Sequence, residues 1–226
     1  MKLDQSCRGD EAKKAMLAKY DIKPISYVKL LEGQVKEGCC GEIKDRYYAF
    51  EFKDKKTGQA GGFFVGYHCG HEFFALLKID KTKYPLFNPL RDLPDPDGDD
   101  PDNPKEDEDA EEKEPSESTK VRMEKLNLEV YNAIHLVITA WSGAPYGDYA
   151  NIISYIKNNP ATRVSDAVAK KVNYLVSKDR DCRPLVRIVE DLRTAYPSLK
   201  GFKFGELKTV VDNLIAAGEV STNYIE

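Results

Sequence analysis

Hydrophobic positions recur along this chain in two rhythms, separated by one stretch that has almost none. In the first 91 residues the pattern predicts a short helix over residues 10–19, with Ala12, Ala15, Met16 and Leu17 as a weak apolar face and Asp10 as its N-cap. Residues 25–35 fit neither period. Residues 47–52 and 63–67 are rich in strand formers, and the Lys/Thr/Gly composition of 53–62 predicts a hairpin connection between them. A short helix follows, burying Phe73, Phe74, Leu76 and Leu77. Beyond residue 120 the rhythm is helical throughout. Residues 121–141 place Val130, Ile134, Val137, Ile138 and Trp141 at helical spacing, ending at Ser142-Gly143-Ala144-Pro145. Further helices are expected from Asp148 to Lys157, from a Ser165 cap through Val168, Val172, Leu175 and Val176, and over 185–196 with Pro184 in its first turn. The last, 206–217, stops at Gly218 in the position of a left-handed cap, and a short strand is expected over 220–225. The fold class is therefore α+β: a small hairpin-plus-helix domain over 1–91, an all-α domain over 120–226, and a tether between them.

The tether changes the charge picture. The formal charge of the whole chain is −4, but residues 92–119 hold 14 Asp/Glu against 2 Lys/Arg, with five prolines and one leucine. Such a segment cannot bury enough apolar surface to offset the entropy of ordering, so a disordered acidic linker is expected. The flanking units are mildly basic, with 17 Lys/Arg against 12 Asp/Glu in 1–91 and 15 against 12 in 120–226. Prolines 96, 101 and 104 break the spacing that a calcium loop would need. Neither a membrane span nor the apolar core of a signal peptide is legible, so a cytoplasmic location is expected. An odd cysteine count with vicinal Cys39 and Cys40 does not look like a disulfide framework, and reduced thiols or thiolate ligands are expected.

Placement gives the cysteines their interest. Cys39 and Cys40 precede the hairpin, while His68, Cys69 and His71 follow it at the start of a helix. Thiolates and imidazoles are the ligands Zn(II) prefers, and a closed tetrahedral site takes four of them. The expected set is Cys39, Cys40, Cys69 and His71, with His68 as an alternative, and Zn2+ as the cofactor. A small domain with a limited core would draw folding energy from such a site. The positive end of the helix would help hold thiolate charge on Cys69.

In its order of Gly38-Cys39-Cys40-Gly41, hairpin, and His68-Cys69-Gly70-His71 on a helix start, the segment 36–80 resembles the treble-clef type of zinc finger. That resemblance implies a knuckle giving two ligands and a helix giving two more. The chain departs from the usual C-x-x-C knuckle because its cysteines are adjacent. This leaves open whether one of them is a bystander and a residue such as Cys7 completes the set. The ending 204–226, with Leu207, Val210, Val211, Leu214 and Ile215 inward, resembles the last helix and first wing strand of winged-helix domains.

Other chemistry is sparse. No phosphate-binding glycine loop, H-E-x-x-H or G-x-S-x-G elbow is present. His135, flanked by Ile134 and Leu136, is expected to be packed rather than catalytic. Lys170, Lys171, Lys178, Arg180, Arg183, Arg187 and Arg193 bias two helices toward positive charge, but Asp179, Asp181, Glu190 and Asp191 interrupt them, which favours a salt-bridged face. The expected function is a non-enzymatic zinc-binding adaptor or regulator that contacts nucleic acid. Outward members of the aromatic set Tyr47, Tyr48, Phe50, Phe52, Phe63, Phe64 and Tyr67 would stack on bases. The alternative is a protein-protein module in which the zinc is structural and the helical part docks or dimerises.

Overall fold

The computed structural model of the protein describes residues 7–90 and 123–226. The expected disordered linker lies outside the described residues. Among these, α1 (Asp10–Lys19) leads into β1 (Tyr20–Lys29), a ribbon of β2 (Lys36–Gly38) and β3 (Gly41–Ile43), a hairpin of β4 (Arg46–Asp54) and β5 (Ala60–Gly66), α2 (Tyr67–Leu77), and β6 (Leu86–Phe87). Five helices follow: α3 (Lys125–Ala140), α4 (Tyr149–Asn158), α5 (Asp166–Val176), α6 (Leu185–Ala195) and α7 (Gly205–Ala216). The mixed α+β class is thus present. Its sheet is larger than a hairpin, with strand order β5-β4-β1-β6, antiparallel except for the short parallel β1–β6 pairing.

The element that pattern reading left ambiguous is β1, the long partner of β4. It is buried on both faces, so the polar positions that would mark alternation are missing from its second half, and a register shift between Pro24 and Ser26 breaks the period further. One face of the sheet carries Tyr20, Ile22, Tyr27, Tyr48, Phe50, Phe52, Phe63 and Val65 against α1 and α2. The other face, with Ile25, Val28, Tyr47, Ala49, Phe64 and Phe87, shares one apolar cluster with all five C-terminal helices. The segments read as separate units in the sequence therefore meet across this face. α3 buries nearly its whole circumference, as a helix enclosed by sheet and helices must.

The C-terminus of α3 shows how the two parts are joined. A helix leaves its last carbonyls without partners, and here they are buried. Tyr47 Oη donates to the Ile138 carbonyl at 3.2 Å, Gln34 Nε2 to Thr139 O at 2.9 Å, and Lys36 Nζ to Ile138 O at 3.1 Å and to Trp141 O. Lys36 is only 4% exposed, and burial pulls its amine down to about 7. A neutral amine still has two N–H groups for its two carbonyls.

Two local expectations need correction. The N-cap of α1 is Gly9 rather than Asp10, which lies inside the helix. Residues 220–225 form no strand: their carbonyls at Tyr224 and Ile225 accept from Leu185 N at 2.7 Å and Val186 N at 3.3 Å. The tail thus supplies acceptors to the free N–H groups at the start of α6, whose cap position Pro184 offers no side-chain oxygen. Gly218 has φ +75°, the left-handed residue expected after α7.

His135 is 1% exposed, stacked on Phe87 with Tyr131 tilted against it, and Nδ1–H donates to Tyr131 O at 2.8 Å. Burial pulls its pKa down to about 3. Below pH 6.5 the unfolded chain takes a proton that the folded one refuses until about pH 3, so stability falls as pH drops through that window. A His135→Gln variant is expected to remove about 1.4 kcal/mol per pH unit of that fall, measured by urea unfolding between pH 6.5 and pH 4; parallel curves for the two proteins would refute it. Lys36 has a slope of the same sign in a higher window. Between pH 7 and pH 10.5 the unfolded chain holds the extra proton, so its contribution grows with pH. Lys36→Met is expected to cost about 1–3 kcal/mol at pH 9, and less near pH 7. A cost that does not change with pH would contradict this account.

Candidate metal centre

The β2–β3 ribbon is a knuckle whose two turn residues are Cys39 and Cys40, between Gly38 and Gly41, which pair across the ribbon. Cys39 N donates to Phe64 O at 2.9 Å, which fixes the turn against β5. The chain then runs through the β4–β5 hairpin directly into α2, so the first turn of that helix brings Cys69 back beside the knuckle. From the other direction comes Cys7, just before α1 and wholly buried in the aromatic cluster under the sheet.

Four sulfurs meet there. Cys40 Sγ lies 3.1 Å from Cys7 Sγ, 3.7 Å from Cys39 Sγ and 3.5 Å from Cys69 Sγ. Cys7, Cys40 and Cys69 form a group whose sulfurs all lie within 4.8 Å of one another and can hold a metal ion. Cys7 and Cys39 stand at disulfide distance, with Cα atoms 5.7 Å apart. This corrects the expectation of reduced cysteines throughout. Cys182 is exposed and takes no part.

The expected histidines are placed differently. His71 Nε2 lies 3.2 Å from Tyr48 Oη and its ring packs 4.0 Å from that of Tyr67. His68 is exposed beside Tyr67. Neither belongs to the group of donors within 4.8 Å. Of the expected ligands, the structure brings together Cys39, Cys40 and Cys69, and it adds Cys7 where histidine was expected. The sequence signal for Cys7 was the departure from a C-x-x-C knuckle, which left room for a cysteine from elsewhere to complete the set.

The electrostatics are those of crowded thiols. Burial pushes the Cys69 thiol up to about 11, the neighbouring Cys40 adds to the rise, and Lys13 opposes it. Lys13, on α1, is 1% exposed and pairs with Glu72 of α2 at 2.6 Å. Burial alone would lower its pKa, but the Glu72 hydrogen bond and the charges of Cys69, Glu72 and Cys40 hold it above the ordinary value. A buried cation thus stands on the side of the site where thiolate charge would accumulate. α2 is capped by Gly66, with neither a side-chain cap bond nor an acidic residue in its first turn, so its positive end is left to Cys69.

The aromatic set whose outward members were expected to stack on bases has no fully exposed member. Tyr47, Tyr48, Phe50, Phe52, Phe63 and Phe64 are buried and Tyr67 is half-buried. Tyr48 stacks on Tyr27 at 4.2 Å, and Phe50 on Phe63 at 5.6 Å. The basic residues of α5, α6 and their connection are largely paired, as the sequence pattern favoured: Arg183 with Asp179 at 3.0 Å and Asp191 at 3.1 Å, Arg187 with Asp191 at 3.1 Å, and Lys170 with Glu219 at 3.4 Å.

The model of one protein family, described as "Uncharacterised conserved protein UCP028583", matches residues 5–220. The chain belongs to that family. The matched span takes in the four clustered cysteines and runs from α1 through α7. No curated protein and no solved structure matches the chain.

Gly70, between Cys69 and His71, lets α2 lie directly on Tyr48: a Cβ there would meet the ring 2.2 Å away. Gly70→Ala is therefore expected to lower stability by about 1–3 kcal/mol through overpacking. Thermal unfolding at unchanged midpoint would show that α2 is not held so closely.

Proposed function

We propose that this protein, with its Cys7–Cys39 pair reduced, is a non-enzymatic adaptor built around a structural zinc ion held by Cys7, Cys39, Cys40 and Cys69 as thiolates, and that it docks a protein partner. The observation that supports the metal is the spacing of the sulfurs. Ligands about 2.3 Å from a tetrahedral zinc stand about 3.8 Å from one another. The 3.7 Å and 3.5 Å separations around Cys40 are close to that edge, the 3.1 Å one needs only a small outward shift, and the Cys7–Cys39 pair, at disulfide distance, has to open to it on reduction. The vicinal pair is thus already splayed for two corners of one tetrahedron.

Two competing roles fit less well. A thiol-disulfide relay needs the attacking sulfur in line with the bond it breaks. A sulfur in line beyond Cys7 would stand about 5 Å from Cys39, whereas Cys40 is 3.7 Å from it, beside the pair rather than behind it. A catalytic metal needs an open position, and four thiolates close the sphere. For the partner, burial of the aromatic hairpin removes the stacking surface on which a nucleic-acid reading depended. The large exposed side chains instead include Tyr146, Tyr155 and Tyr174, on α4, α5 and the loop before them. Tyrosine is the kind of residue that protein interfaces favour.

The test is metal content by plasma mass spectrometry on full-length chain purified under reducing conditions without added metal. About one zinc per chain is expected in the parent and in His71→Ala, with loss in Cys7→Ser, Cys40→Ser and Cys69→Ser. Retention of zinc in Cys7→Ser together with its loss in His71→Ala would replace this ligand set with the mixed cysteine and histidine set. Affinity for a single-stranded oligonucleotide that falls steeply with salt would overturn the choice of partner.

A further inference from the structure

The zinc reading requires four reduced thiolates, yet two of these sulfurs are already at disulfide distance, with Cα atoms 5.7 Å apart, inside the usual disulfide range of about 4.4–6.8 Å. The backbone at these two positions is thus already placed for the cross-link. Resting on that reading, the geometry points to a redox-gated site, in which a peroxide oxidises Cys39, Cys7 closes a disulfide with it, and the metal is expelled.

Burial assigns the two roles. Cys39 sits half-buried at the tip of the knuckle, where a small oxidant reaches it, whereas Cys7 is fully buried behind it. In the first step the Cys39 sulfur gives an electron pair to one oxygen of hydrogen peroxide. The O–O bond breaks, leaving Cys39 sulfenic acid and hydroxide. In the second, the Cys7 thiolate attacks the Cys39 sulfur, forming the S–S bond and releasing a second hydroxide. Two electrons leave the protein and both go to peroxide oxygen. Zinc, left with two of its four ligands, departs as the aqueous ion, and Cys40 and Cys69 take up protons.

The two states hold different parts of the fold. Zinc joins three elements: the arm before α1, the knuckle, and the first turn of α2. The disulfide joins only the first two, so oxidation keeps the N-terminal arm tied to the knuckle and leaves the start of α2 held there by packing alone. Gating therefore acts on α2 without unfolding the chain.

The experiment uses zinc-loaded full-length protein carrying Cys182→Ser, which removes the exposed thiol outside the site. Hydrogen peroxide is added in molar excess, released zinc is followed with a chromogenic chelator, and disulfides are mapped on non-reduced peptides. The expected result is release of zinc in proportion to a Cys7–Cys39 cross-link, reversed by dithiothreitol and added zinc. Hydrogen exchange should quicken at residues 67–71 but not at 10–19. A parent chain that holds no zinc before peroxide is added overturns the zinc reading and this proposal with it. Zinc that is bound and then lost with sulfinic acid at Cys39 and no cross-link to Cys7, or zinc that is retained, overturns the gating alone.

Discussion

Four sulfur atoms, brought from sequence positions 7, 39, 40 and 69, are packed within a space that will not tolerate them all as bare thiolates. Two such charges about 3.5 Å apart repel by about 5 kcal/mol at an effective dielectric of about 20. Only a bound cation, protonation or a covalent bond between sulfurs relieves that repulsion, and the choice among them governs the arm, the knuckle and α2 together. Lys13 offsets part of the charge but is itself shared with Glu72.

The same short ribbon that carries two of those sulfurs also carries Lys36, three residues before Cys39. Its amine closes the buried end of α3, alongside Gln34 and Tyr47. The knuckle therefore touches both sides of the sheet: sulfur chemistry on the α1/α2 side and a helix terminus on the other. Whatever fixes the knuckle steadies the contact between sheet and helices, because Lys36 gives two of the four hydrogen bonds named at the end of α3. The sheet acts as the partition. Its aromatic residues are divided between two cores, and none of the strongly buried ones is left for a ligand.

Local periodicity carried the helices well. α1 spans the expected residues 10–19, and α4 to α7 begin and end within a residue of their expected limits, because apolar stripes at 3.6-residue spacing are bounded by Pro, Gly or Ser. β1 was illegible for a physical reason: a strand covered on both faces has no polar face to mark its period. The burial of α3 on all sides had a trace in the sequence, where Ile134, Leu136, Val137 and Ile138 leave no polar stripe. That trace was read as one face of a helix in a separate unit. At the site, the order of knuckle, hairpin and helix was legible because it is local. Cys7 was legible only as a residue that could complete the set, since only folding of α1 under the sheet brings an arm 32 residues away onto Cys39. His71 looked like a ligand by spacing, but Tyr48 beneath it offers a hydroxyl at hydrogen-bond distance that no pattern reveals.

The ligand sphere itself is the most direct point of attack. X-ray absorption at the zinc edge on the reduced, zinc-loaded full chain reports donor type and distance without any variant. The account predicts four sulfur scatterers at about 2.3 Å and no nitrogen shell. A nitrogen scatterer at about 2.0–2.1 Å would place a histidine on the metal and contradict the four-cysteine site.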